Sequence, residues 1–65
     1  MRINSIKIKL FMAEQEINQT ILAARAGVSR QNISTILTRG TCSIANAGKL
    51  AKALGVDVSE IVKEE

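Results

Sequence analysis

"QTILAARAGVSRQNISTIL", residues 19–37, reads as two helices that meet at one glycine. Asn18 stands just before the stretch, where a short polar side chain can accept a hydrogen bond from the unpaired N–H groups of a first helical turn. Ile21, Leu22 and Ala23 supply the apolar contacts of a helix over residues 19–26. Gly27 ends that helix where a left-handed backbone costs least. Ser29 then caps a further helix, over about residues 30–38, whose inner face is Ile33, Ile36 and Leu37.

Only Gly27, Val28 and Ser29 separate the two helices, and so short a link makes them cross steeply, as in a helix-turn-helix. The crossing needs a small residue where the backbones approach, and Ala23 is one. Val28, Ile33 and Ile36 pin the pair to the core. With these residues inward, the first turn of the second helix presents Arg30, Gln31 and Asn32, with Ser34 and Thr35 alongside. An α-helix fits the major groove of DNA, where Arg can make two hydrogen bonds to guanine and Gln or Asn two to adenine. On an isolated helix these side chains would read as a solvated face. After such a turn they read as an edge for base pairs.

The charge pattern agrees. The 65-residue chain carries a formal net charge of +3, and its acids are confined to Glu14, Glu16 and the residues from Asp57 onward. Arg25, Arg30, Arg39, Lys49 and Lys52 fill the acid-free middle, a one-signed field suited to an anionic partner. Lys49, Lys52 and Arg25 are read individually as solvated charges.

Outward from the central pair, residues 5–15 form a first helix, with Ile8 and Phe11 on one face and Ile6, Leu10 and Ala13 on an adjacent one. Ile6 to Leu10 also alternates like a strand, but no comparable second strand is available to pair with it. Residues 39–43, "RGTCS", make a loop, and a fourth helix runs from about residue 44 to residue 54 before Gly55. Gly48 inside it points to a close helix contact. Asp57 and Glu60 have the spacing of a capping box for a short last helix carrying Val58, Ile61 and Val62. The expected architecture is all-α: a compact bundle of five short helices in one domain, residues 1–65.

Several functions are excluded. The chain has no histidine and one cysteine, Cys42, which rules out an internal disulfide, a Cys/His zinc site and a histidine triad. Without a credible acid–base pair the chain is not read as an enzyme, and neither cofactor nor metal is expected. Lys7 and Lys9 interrupt the apolar start, no stretch approaches membrane-spanning length, and a cytoplasmic location is expected.

Residues 17–62 resemble the lambda-repressor-like helix-turn-helix family, the Cro/C1 or XRE type. "INQTILAARAGVSRQNISTIL" and "AGKLAKALGVDVSEIV" carry the resemblance. It implies five helices, a third helix in the major groove, and two-fold dimers on double-stranded operator DNA. It also implies a bacterial, phage or mobile-element source and association with the nucleoid. Arg30, Gln31 and Asn32 match the family's base-reading turn, and Thr35 matches a further base-facing position. Gln19 matches the glutamine that contacts a phosphate and braces the recognition helix. Arg39 and Thr41 match the loop that follows the sugar-phosphate chain, and Ser29 and Ser34, near the positive helix start, complete the phosphate-contacting set. Four departures stand out: Met12 where many members have arginine, Glu16 where glycine or asparagine is frequent, Leu37 in place of a frequent glutamate, and a longer "TRG" connection.

The expected function is a sequence-specific DNA-binding regulator, most simply a dimeric repressor, with Val58, Ile61 and Val62 as candidates for a dimer seam. The competing expectation is an antitoxin-like or adaptor module whose main partner is a protein, with DNA binding secondary.

Overall fold

Every α-helix start carries a side-chain cap. A computed structural model describes residues 1–63. Helix α1 (Ser5–Glu14) begins where Asn4 Oδ1 accepts the Lys7 N–H at 3.0 Å. Helix α2 (Gln19–Ala26) begins with Asn18 Oδ1 accepting from Ile21 N–H at 2.9 Å. Ser29 Oγ accepts from Asn32 N–H at 3.0 Å to open α3 (Arg30–Arg39). Ser43 Oγ does the same for Asn46 N–H at 3.1 Å to open α4 (Ile44–Leu54). Each such cap contributes about 1 kcal/mol by satisfying a donor that no helical carbonyl can reach.

Three of the helix ends follow one pattern. Gly27 and Gly55 take φ of +71°, and the next residue's N–H reaches back to the last turn: Val28 to Ala23 O at 3.1 Å and Val56 to Ala51 O at 3.0 Å. Helix α1 ends identically, with Ile17 N–H bonded to Met12 O at 3.0 Å, but Glu16 occupies the left-handed position at φ 55°. The frequent glycine or asparagine at this point is thus explained by the backbone it must adopt.

The core forms where the helices converge. Ile8, Leu22, Ile33, Leu50 and Ile61 are its largest fully buried side chains, with Ala23, Ile36, Leu37, Ala51 and Leu54 around them. Met12 is buried too, so the position that often holds arginine has been given to packing.

Four expectations require correction. Instead of a fifth α-helix there is a single 3-10 turn, Val58–Glu60. The capping box does not close: Asp57 accepts from Ser59 N–H at 3.0 Å, while Glu60 pairs with Lys7 Nζ at 3.0 Å across 53 residues of sequence. Among the described residues the architecture is therefore four α-helices and a 3-10 turn. In α1 the buried pair is Ile8 and Met12, while Phe11 is half-buried and Ile6, Leu10 and Ala13 are exposed. Gly48 marks no close approach, because a Cβ added there meets no atom within 4 Å.

The N-terminal residues tie the bundle together. Ile3 is buried, its N–H donates to Gly40 O at 2.9 Å, and Asn4 N–H donates to Ile61 O at 2.7 Å. Isolated antiparallel bridges join Arg2 to Thr41 and Ile3 to Val62. Among the described residues no helix is long and apolar enough to cross a membrane.

Candidate nucleic-acid interface

Helix α3 divides cleanly into two faces. Ile33, Ile36 and Leu37 are buried, and Arg30, Gln31, Ser34, Thr35, Thr38 and Arg39 are exposed. The division follows from the 3.6-residue repeat, which sets residues 30, 31, 34, 35 and 38 on one side. Asn32 falls at the border and is half-buried. Thr38 lies in the middle of the exposed face and was missed by reading only the first turn and a half. Its spacing from Gln31 and Ser34 was the available signal.

The turn holds this face in place. Ala23 is buried in the core, Gly27 is left-handed, and Val28 is half-buried against the core. Ile33 and Ile36 are buried in the same core. Ser29 is exposed; its oxygen accepts from Asn32 N–H, and its own hydrogen can still be donated to a phosphate. Gln19, at the start of α2, is half-buried. Arg39 is the last residue of α3, and the exposed Thr41 lies just beyond it in the bridge with Arg2.

No polar or charged residue is buried, and no buried side-chain N or O atom lacks a partner among the described residues. The polar edge of α3 is therefore directed outward. It sits on a capped helix, and the helix start adds a partial positive charge. Arg25 is exposed, as expected of a solvated charge, and it also makes a surface hydrogen bond. Its Nη1 donates to Gln15 Oε1 at 2.9 Å, and Gln15 Nε2 donates to Leu54 O at 2.7 Å, tying the ends of α1, α2 and α4 together.

The rest of the surface offers little chemistry. Cys42 is half-buried, and burial pushes its thiol pKa up, partly opposed by the N-terminal ammonium. Among the described residues no three His, Cys, Asp or Glu side chains are grouped to hold a metal ion. Of the residues expected at a dimer seam, Val58 is 38% exposed and Val62 half-buried, but Ile61 is 0% exposed. Ile61 belongs to the core and is withdrawn from the seam: the 3-10 turn is too short to show an outer apolar stripe, and its exit residue turns inward.

The sequence model of the Cro/C1-type HTH DNA-binding domain matches residues 7–64. Two solved structures share the fold over 98% of the chain, with a TM-score of 0.82 and 26% identity. One is native PhpD with cadmium atoms, the other PhpD with cadmium complexed with hydroethylphosphonate. The chain spans 14% of the length of those proteins. No curated protein matches it.

Proposed function

The chain belongs to the family of Cro/C1-type helix-turn-helix DNA-binding domains, and on that premise we propose that it represses transcription as a dimer on a pseudo-palindromic operator. The exposed edge of α3 carries this reading: Arg30, Gln31 and Thr35 stand in solvent on a helix whose opposite face is locked into the core. Inserted in the major groove, Arg30 reads guanine, and Gln31 and Asn32 read adenine. Thr35 makes a further base contact one turn on.

Gln19, Ser29, Ser34, Arg39 and Thr41 hold phosphates on either side and set the register of the helix. Two copies place their α3 helices about 34 Å apart, one turn of DNA, and exclude polymerase by occupying its site. The work is done on cytoplasmic, nucleoid-associated DNA, without a cofactor and without catalysis.

Selection of bound sites from a pool of random duplexes tests all of this together. The expected result is an enriched, two-fold symmetric sequence whose half-sites are one turn apart. Recovery of sequences indistinguishable from the input pool would end the reading. Enrichment of a single asymmetric half-site would keep base reading and remove the dimer.

One observation favours a second reading, an antitoxin-like or adaptor module with secondary DNA binding. Ile6 is 72% and Leu10 56% exposed, one turn apart on α1, which is unusual for large aliphatic residues and suits a protein partner. Co-purification of a stoichiometric protein that shields α1 from hydrogen exchange supports it, and a chain that purifies without any such partner removes it.

A further inference from the structure

Helix α1 turns an apolar stripe away from its own core. Ile6 and Leu10 stand largely in solvent, and Ala13 is exposed with them. At about 3.6 residues per turn these three fall within about 60° of one another, opposite the buried Ile8 and Met12. Lys7 and Glu14 flank the stripe on one side and Lys9 on the other.

The charges of α1 run against its own dipole. Its first turn holds Lys7 and no acid, and its last turn ends on Glu14 and holds no base. A helix start is partly positive and a helix end partly negative, so each group is unfavourable where it stands. An antiparallel second copy reverses this. Its negative end and its Glu14 lie beside the lysines, and its positive start lies beside the glutamate.

The apolar residues fit the same register. Two antiparallel α1 helices centred on Leu10 pack Leu10 against Leu10, Ile6 over the small Ala13, and Lys7 beside Glu14, each to within about one residue, or about 1.5 Å. Lys7 already donates to Glu60 Oε2 at 3.0 Å, and its ammonium has further hydrogens for a second carboxylate. Lys9 of each copy stays in solvent on its flexible stem. Glu64 and Glu65 lie outside the described residues, and the pairing counts neither.

We propose that α1 is a self-association face and that its occupant is the antiparallel α1 of a second copy of this chain. The proposal rests on the dimer of the reading above and names its surface. Ile6 lines one groove with Thr38 and Arg39, so this end of the seam lies beside the last turn of α3, away from the exposed first turn. Ten residues make a seam about 15 Å long and about 10 Å wide, far below the roughly 800 Å² per partner of a stable complex. The free dimer is therefore weak, and a shared duplex reinforces it by holding two copies at high effective concentration.

Sedimentation of the full chain up to millimolar concentration, with and without a mixed-sequence duplex of about two helical turns, reads the association. Leu10→Glu sets like charges at the centre of the seam and should weaken it at least about tenfold. Its thermal midpoint should hold, because Leu10 is exposed. Glu14→Lys should weaken association too, while its own midpoint holds or rises, since a cation suits the end of its helix. In a glutathione buffer Leu10→Cys/Cys42→Ser should form a disulfide-linked dimer, and Lys49→Cys/Cys42→Ser should not. Should Leu10→Glu lower the midpoint, this cross-link decides alone.

A dimer that Val58→Ser dissociates and Leu10→Glu does not overturns the α1 seam and leaves the dimeric reading standing. Cross-linking through Lys49→Cys as readily as through Leu10→Cys does the same. A chain that stays monomeric at every concentration, with and without duplex, overturns both. A chain monomeric by itself whose α1 is covered by a different, co-purified protein overturns the proposal in favour of the second reading.

Discussion

Arg30 is the first residue of α3, exposed, and its truncation removes no core contact. Arg30→Ala should therefore leave folding intact and cost about 1–3 kcal/mol at one base pair of the selected site, with relaxed preference there. Affinities for a panel of single-base variants of that site measure it; an unchanged preference refutes the base-reading assignment. Glu16 poses the opposite case, a residue whose backbone opposes its side chain. At φ 55° a non-glycine residue carries a strain of roughly 1 kcal/mol, which glycine relieves. Glu16→Gly should raise stability by about 1 kcal/mol and the thermal midpoint by about 4–8 °C, with DNA binding unchanged. A lower midpoint would mean that the glutamate side chain makes a contact worth more than the strain.

At the scale of elements, α4 supplies a second stabilising change. Gly48 lies inside the helix, exposed, without a left-handed φ and with room for a methyl group. Gly48→Ala should gain about 0.5–1 kcal/mol in chemical denaturation, with an unchanged m value. The 3-10 turn gives a pH-dependent prediction. Hydrogen bonds from the Ser59 backbone and side chain hold the Asp57 carboxyl below its ordinary pKa. A carboxylate with a depressed folded-state pKa favours the folded chain above its unfolded pKa, near 4, and loses that effect as pH falls through the lower folded value. The stability difference between wild type and Asp57→Ala should thus hold at neutral pH and narrow below about pH 4.

These elements also mark what was legible in the sequence. Helices α2, α3 and α4 were readable because their signals are local: Asn18 and Ser29 cap, Gly27 and Gly55 terminate, and Ile33 and Ile36 repeat at helical spacing. The outward edge of α3 followed from the same repeat. The buried face of α1 did not, because Ile6, Ile8, Leu10, Phe11 and Met12 put apolar groups all round it. Only its tertiary neighbours select Ile8 and Met12. The Asp57–Glu60 spacing misled for a related reason: Glu60 pairs with the distant Lys7 instead of closing a local box.

At the scale of the molecule, the least legible feature is the one that closes the fold. Ile3 is 2% exposed and lies in a segment bridged to Thr41 and Val62, partners that no local pattern announces. A chain of 65 residues has a total stability of only about 3–10 kcal/mol. Ile3→Ala, which removes a buried aliphatic side chain at about 2–5 kcal/mol, should therefore take away much of it. The thermal midpoint should fall by at least about 10 °C. Because the N-terminal residues also cover the carbonyls at the end of α3, this loss should loosen α3, the helix proposed to face DNA, along with the core. Binding to the folded state offsets such a loss by mass action, by about 2.7 kcal/mol when duplex is present at about 100 times its dissociation constant. Added operator duplex should thus restore most of the lost midpoint to Ile3→Ala. A midpoint that falls as expected but does not respond to duplex would separate the fold, then correctly described, from the DNA-binding role built on it.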